Sequence, residues 1–549
     1  MNRDSRFFKF KSKTIAILRK NKGAIFSGVL IGTSYIPFPP WALLFCLIPL
    51  WLEVLENQES FWSSFARGWW TQFILSLIGF YWIAYVSHEF GYMPWPVALL
   101  VLLLFVATVH TYYAVAAGGA QWLRSRLQLS ESVTLVLLAA FTGLGEIYWP
   151  SLFPWNFGYT FLWMKSPIAQ TADVFGFQGL SLLVLFANAG LTWAFLQAKN
   201  TGKYFYLIWK SLAIIGIFAG LHFWGLEKRA EWRVTDSKLN VLQIQANIGN
   251  FEKVMAEKGA GFEQSIVNQY FELTREGLRQ YSDIDLVIWP ESAYPDYLEV
   301  MDLVNRPYAN QFQHFLKEIK KPILTGGYAH TFDAKGLNRN YNGLFLYGAN
   351  GQLFGSPYHK TNLLVFGEYT PLTDYFPILT KISPAGEGWS RGTGPQIIPF
   401  NEYKIGPQIC YESLYPEFSA ELAHLGADIL VNLTNDSWFG PTSESHQHMM
   451  MTLARGVETR RPLLRTTNTG ITTAILADGT QLQKSAQFTP WYGRFEIPFK
   501  KQAPMTFFTQ YHSWLPLILL LIVILSVLIG KGRAKKMVSK QDNKHSQST

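Results

Sequence analysis

Three residue types together can activate and use a thiol: Glu291 in "WPES" and Cys410 in "GPQICYES", each at the end of an apolar run, and Lys360 in the loop-rich segment "YHKTNLLVFGEYTP". A free thiol with a pKa near 8.5 is only about 3 % thiolate at pH 7, so a nucleophilic cysteine needs a base and a nearby cation. Glu291 offers the first and Lys360 the second. Together they would ionise Cys410, and the lysine would also donate to the oxyanion formed when a carbonyl is attacked. Taken singly, each has a plain structural explanation: Glu291 as a turn carboxylate, Lys360 as a solvated lysine with Glu368 as its partner, Cys410 as a small buried hydrophobe. The chain has only two cysteines, Cys46 in an apolar stretch and Cys410 in a polar one. That gives neither a disulfide framework nor a zinc pattern and leaves Cys410 a free thiol. His446 and His448 in "SHQHMM" are two apart, which points them to different sides of a helix. No metal and no cofactor are expected.

The elements that must position these residues lie between about 227 and 510, where short β-rich runs alternate with helical stretches. "LNVLQIQANI", "IDLVIWPES", "PILTGGYAH", "YNGLFLYGANG", "YKIGPQICYES", "ADILVNLTND" and "GITTAILADG" read as strands. "GANGQL" and "LADGTQL" supply hairpin turns. Stretches at 261–281, 302–320 and 443–460 read as helices, with Met449, Met450 and Met451 as core packing. Pro290 removes a backbone donor just before Glu291, so the strand ends where the carboxylate appears. Cys410 is likewise at a strand end, with Ser413 able to cap a following helix. An α/β domain of this length buries its own core.

The rest of the chain is too apolar for a wholly soluble protein: of 549 residues, 49 % are hydrophobic, 16 % aromatic and only 15 % charged. Apolar runs at 24–40, 41–55, 66–86, 95–120, 133–149, 178–198, 204–226 and 514–530 make about eight candidate membrane spans. The first two, separated by "PFPP", form either a tight hairpin or one broken segment. Arg124, Arg126, Lys199 and Lys203 mark loops on the cytoplasmic side, together with both basic tails. Seven crossings then leave residues 227–510 outside, and the eighth returns the C-terminus. Glu146 and His110, the main ionisable residues among the spans, are expected near the interfaces. The first helix is read as retained rather than cleaved. Three parts follow: a bundle over 1–226, a catalytic domain over 227–510, and a last helix with a basic tail over 511–549. The net charge of +9 lies largely in the tails, which fits membrane lipid; no basic stripe with interleaved aromatics suggests nucleic acid.

The ordered set Glu291, Lys360 and Cys410 resembles the Glu-Lys-Cys triad of the nitrilase superfamily. With the membrane spans, the chain resembles more closely that superfamily's apolipoprotein N-acyltransferase branch, as do "NLTNDSWFG" and "RPLLRTTNTGIT". Val365 departs from an expected proline, and Asn250 and Val254 from an expected glutamine and aromatic. The resemblance implies an α-β-β-α sandwich outside a polytopic helical membrane bundle. It implies Glu291 as base, Lys360 as the triad lysine and Cys410 as nucleophile. Glu368, Glu412, Tyr411, Asn435 and Trp438 become accessory or substrate-binding residues. It further implies ping-pong transfer of a fatty acyl chain from a phospholipid, phosphatidylethanolamine being expected, through a cysteine thioester. The acceptor would be the α-amino group of a diacylglyceryl apolipoprotein, at the periplasmic face of a bacterial inner membrane. A membrane-tethered amidohydrolase of the nitrilase type, and a non-catalytic lipoprotein-binding scaffold, are the alternatives.

Overall fold

The computed structural model describes residues 15–56, 60–257, 261–298, 307–332, 336, 338–365, 367–370, 373, 375–376 and 388–546. Among them, five helices are long and apolar enough to cross a membrane: Trp95–Leu127, Glu131–Tyr148, Pro167–Thr201, Phe205–Glu231 and Trp514–Gly532. Phe61–Gly79 and Trp82–Glu89, bent by 58° at the break between them, make a sixth if taken as one span. The first two expected spans take another form. Helices Lys22–Gly32 and Ile48–Glu56 run antiparallel, with the Gly23 and Ala24 amides donating to Glu53 at 2.7 and 3.0 Å. The Leu50 amide donates to Ser27 Oγ at 2.9 Å. The pair is thus the hairpin alternative, and the prolines of its tip, which cannot donate backbone hydrogen bonds, keep the connection non-helical.

The bundle has two distinct ends. At one, Arg124 donates to the Leu55 carbonyl at 2.8 Å and Lys199 pairs with Glu56 at 2.6 Å, so the basic loops lie together. At the other sits the α/β domain: Gln447 donates to the carbonyls of Ile36 and Gly79, each at 3.0 Å, and Arg460 pairs with Asp173 at 3.0 Å. His110 and Glu146 are enclosed by protein rather than exposed at the bundle surface. Both are buried within the bundle, His110 Nδ1 2.8 Å from Ser76 Oγ and Glu146 accepting from Ser181 Oγ at 2.6 Å, because a polar group enclosed in an apolar bundle needs a partner.

The α/β domain contains β1 (Ser237–Gln245), β2 (Leu286–Ile288), β3 (Ile323–Phe332), β4 (Asn338–Tyr347), β5 (Tyr358–His359), β6 (Ile398–Phe400), β7 (Tyr403–Ile409), β8 (Ile429–Thr434), β9 (Leu463–Thr467), β10 (Thr473–Ile475) and β11 (Trp491–Phe499). They form two sheets, ordered β11-β1-β2-β3-β4-β5 and β10-β9-β8-β7-β6. Successive strand side chains point to opposite faces, and here both faces are buried. Leu286 and Ile288 join the core between the sheets. Val287 and Trp289 instead pack with Tyr270, Phe271, Phe312 and Phe315 of helices Glu263–Gln280 and Pro307–Ile319. Phe418, Leu422 and Met449 to Met451, from helices Pro416–His424 and Glu444–Thr459, cover the second sheet. The result is an α-β-β-α sandwich, and burial on both sides explains why these strands read as nearly continuous apolar runs.

Both expected hairpin turns are present, closed by the Tyr347–Leu353 and Ile475–Gln481 bridges. Of the expected helix over 302–320, Pro307–Ile319 is described and helical; residues 302–306 lie outside the described residues, as do the side chains of Asn250 and Val254. Strand β11, not anticipated, pairs antiparallel with β1 from Ser237↔Phe499 to Gln245↔Trp491. Parallel pairing of β1-β2-β3 and of β7-β8-β9 brings the carboxyl ends of β2, β7, β8 and β9 to the same side of their sheets. The residues just beyond those ends build the site.

Candidate active site

Glu291 lies just beyond the carboxyl end of β2, followed by Ser292 in the left-handed backbone region at φ +47°. Its side chain is buried and fully engaged. Oε1 accepts from Lys360 Nζ at 3.1 Å and Asn342 Nδ2 at 2.8 Å, while Oε2 accepts the Asn435 amide at 2.9 Å. Lys360, immediately after β5, is 2 % exposed and is clamped between two carboxylates, since Glu368 Oε1 is 2.8 Å away on its other side. Burial alone would push this ammonium down. Glu291 and Glu368 outweigh it and hold Lys360 well above the usual lysine range, so it is a permanent cation. Glu368 is held in turn by the Leu364 amide at 2.8 Å.

Cys410 follows β7 and opens the single turn Cys410–Leu414. Its φ of +52° is unusual for a residue with a Cβ, a strain the surroundings must sustain. Its carbonyl accepts from Ser413 Oγ at 3.0 Å and Asn432 Nδ2 at 3.1 Å. Ser413 therefore braces Cys410 rather than capping the next helix, which starts at Pro416 after Tyr415. The thiol is buried within electrostatic reach of both Glu291 and Lys360. Burial, then the charge of Glu291, push it well above the usual thiol range against the pull of Lys360. The expected resting thiolate is thus replaced by a neutral thiol. Enclosure is the larger cause, and the lysine that would stabilise a thiolate is already paired with two carboxylates.

Glu412, fully buried, links the two halves of the site. Oε1 accepts from Tyr358 Oη at 2.6 Å and from the Thr361 and Asn362 amides at 2.6 and 3.1 Å; Oε2 accepts the Ile409 amide at 2.7 Å. Burial pushes its carboxyl up to about 7 despite these donors. Tyr411 donates from Oη to the Leu152 carbonyl and packs edge-on to Phe153, fastening the Cys410 turn to a loop of the bundle. Asn435 reaches Glu291 through its backbone amide, while its side chain accepts from Ser437 Oγ at 2.8 Å. Trp438 is farther out, its ring 4.3 Å from that of Phe90. Asn342, which donates to both Glu291 and, at 3.2 Å, Glu368, was not anticipated, nor was Tyr358. Neither carries a sequence signal of its own, since Asn342 stands in the polar first half of β4 and Tyr358 in a two-residue strand. His446 and His448 diverge as the spacing predicts: His446 faces the Trp163 ring at 5.7 Å, and His448 turns inward to Asp436. Asp436, Glu444 and His448 are buried with ligating atoms within 4.8 Å of one another, and Arg465 is the cation already bonded there, 2.6 Å from Asp436.

Residues 240–491, which contain Glu291, Lys360 and Cys410, match the carbon-nitrogen hydrolase family, and residues 27–190 match the apolipoprotein N-acyltransferase N-terminal domain. An apolipoprotein N-acyltransferase of Bdellovibrio bacteriovorus is 45 % identical over 539 residues, covering 97 % of this chain and 96 % of the relative. The chain belongs to the apolipoprotein N-acyltransferase family. A second member, from Geobacter metallireducens, is 30 % identical over 83 % of this chain and 85 % of its own length. A crystal structure of a carbon-nitrogen hydrolase from Helicobacter pylori G27 is 15 % identical with a TM-score of 0.35, covering 51 % of this chain and 94 % of that one. For an apolipoprotein N-acyltransferase, the arrangement joins a thiol, a permanent cation and a carboxylate at the end of the bundle where the sandwich is seated.

Proposed function

We propose that Cys410, Lys360 and Glu291 carry out a two-step acyl transfer from a phospholipid to the α-amino group of an N-terminal diacylglyceryl-cysteine. The observation that carries this reading is the Lys360 ammonium held between Glu291 at 3.1 Å and Glu368 at 2.8 Å, with Cys410 on a strained turn beside them. Because Cys410 rests as a thiol, Glu291 takes its proton as sulfur attacks the ester carbonyl of the donor. An ammonium has three N–H donors. Two of those of Lys360 are directed to Glu291 and Glu368, which leaves a third for the developing oxyanion. A lysophospholipid leaves, taking the proton from Glu291, and a thioester remains.

The acceptor amine then attacks the thioester. With a pKa near 8, roughly a tenth of an α-amino group is neutral at pH 7. Glu291 accepts its remaining proton as the amide forms and returns one to the Cys410 sulfur. Water competes for the thioester, and the setting opposes it: Tyr411 and Phe439 pack against Phe153, and Trp82 against Phe439. Acyl chains would therefore reach Cys410 from the bundle side while bulk water is kept back.

The same reading assigns the parts of the chain. Residues 1–226 form the bundle, 227–510 the catalytic domain and 511–549 the closing helix and tail. Eight crossings, with the hairpin supplying two of them, put both termini in the cytoplasm and the sandwich in the periplasm, in keeping with Arg124 and Lys199 at the far end of the bundle. Phosphatidylethanolamine is the proposed donor. The test uses the full chain in detergent with phosphatidylethanolamine and a diacylglyceryl-cysteinyl peptide, beside Cys410→Ala. A peptide mass gain of one acyl chain, matched by lysophospholipid and absent in the variant, supports the transfer. Free fatty acid without acylated peptide, or turnover of soluble amides instead, overturns it.

A further inference from the structure

Arg465 lies in "RPLLRTTNTGIT", a stretch whose role the triad leaves unexplained. It projects from β9 into the domain and is 0 % exposed. A buried guanidinium is costly unless its donors are engaged, and here the two terminal nitrogens, though not Nε, are bonded in three directions. Nη2 donates to Asp436 Oδ2 at 2.6 Å, and Nη1 to Asn432 Oδ1 and Thr452 Oγ1, both at 3.1 Å.

Two of these branches end on the same atom. Asn432 donates through Nδ2 to the Cys410 carbonyl at 3.1 Å, and Thr452 shares a 2.8 Å hydrogen bond with Ser413, whose Oγ donates to that carbonyl at 3.0 Å. The third branch leads to the base. Asp436 also accepts from His448 Nδ1 at 3.1 Å, and the residue just before it, Asn435, gives its amide to Glu291 at 2.9 Å. Asn435 is braced again by Asn468 Nδ2 at 3.1 Å. One cation is thus wired to the carbonyl that fixes the left-handed backbone of Cys410 and to the segment that holds Glu291.

We propose that Arg465 is a positioning residue that sets nucleophile and base in register, acting through Asn432 and the Thr452–Ser413 pair on one side and Asp436 on the other. A planar fork suits this role and an ammonium does not, because a lysine at this depth offers a point charge without the fixed angle between branches. Asp436 would keep its counter-charge in Arg465→Lys, while Asn432 and Thr452, through which the donors to the Cys410 carbonyl are braced, would lose their guanidinium partner.

The proposal rests on Cys410 being the nucleophile, so its test reads the thiol directly as well as the reaction. Arg465→Lys, Asn432→Ala, Ser413→Ala and the double variant Asn432→Ala/Ser413→Ala are made in the full chain. Iodoacetamide alkylation of Cys410 is followed across pH, and acyl-enzyme formation from phosphatidylethanolamine in a single turnover. The expected result is a roughly 10- to 100-fold slower acylation in R465K with KM for the phospholipid unchanged, and a displaced pH profile of alkylation. Each branch variant gives part of the loss, and R465K adds little on top of the double variant. A fall in thermal midpoint with the alkylation profile and the acylation rate per folded molecule unchanged would overturn the proposal. So would effects that add fully. If R465K does not fold, the branch variants decide by the same readouts. If wild-type protein forms no acyl-enzyme, the proposed reaction fails, while the alkylation profiles still decide for or against the tether.

Discussion

Glu412 Oε1 accepts the Thr361 amide at 2.6 Å, one residue beyond Lys360, while its Oε2 holds the Ile409 amide, one residue before Cys410. The Lys360 loop and the Cys410 turn are therefore tied through one carboxylate. In Glu412→Gln the amide nitrogen must face either the Ile409 amide or the cluster of donors on the other side, leaving a buried donor without an acceptor. The expected cost is about 1–3 kcal/mol of stability, with acyl transfer lowered because Lys360 and Cys410 lose their common anchor. Thermal denaturation beside a transfer assay checks both.

Gly326 tests the placement of Glu291. Its amide donates to the Pro290 carbonyl at 3.1 Å, and a Cβ there would stand 2.7 Å from Glu291 Cα and 2.6 Å from the Ser292 amide nitrogen. All are backbone atoms that cannot swing aside. Gly326→Ala should destabilise by about 1–3 kcal/mol through overpacking. By displacing Glu291 it should slow acylation on the order of 100-fold, with donor binding retained.

Thiol chemistry should follow burial. Because burial and Glu291 raise the Cys410 pKa, the thiolate fraction keeps growing at pH values where an exposed cysteine has already ionised. Alkylation of Cys410 should therefore still be rising above pH 9, without the plateau an exposed thiol reaches near that point. A midpoint near 7 or below would mean a resting thiolate.

Stability should fall from mildly acidic to basic pH. Burial raises both Glu412 and Glu458 to about 7 in the folded protein, above the unfolded glutamate value of about 4.3. The folded state then binds protons more tightly than the unfolded one. This contribution is complete below the unfolded value and is lost as pH rises through the folded one. Thermal midpoints in detergent should decline between pH 5 and pH 8, and Glu458→Gln should flatten the slope.

Much of this was legible in the sequence because burial leaves a pattern. Leu286 to Trp289 reads as a strand since both faces are apolar, and the residues that follow it and β7 stand out as Glu291 and Cys410. What was not legible depends on partners distant in the chain. Asn342 faces the site only because β3 and β4 pair in the observed register, with Gly327↔Gly343 setting its turn toward Glu291. Strand β11, with Gly493 and Pro498 inside it, lacks a clean strand signature and owes its extended form to β1. The neutral state of Cys410 follows from enclosure and from the pairing of Lys360 with two carboxylates, neither of which spacing conveys. The serine partners of Glu146 and His110 were likewise illegible, because hydropathy does not reveal a contact across the bundle.

The most direct measurement is the intact mass of the full chain after incubation with phosphatidylethanolamine, beside Cys410→Ala and Lys360→Met. The account predicts a mass gain of one fatty acyl group that hydroxylamine removes, absent in Cys410→Ala and strongly reduced in Lys360→Met. An adduct that persists in Cys410→Ala, or lysophospholipid released with no adduct on any variant under acceptor-free conditions, would contradict it.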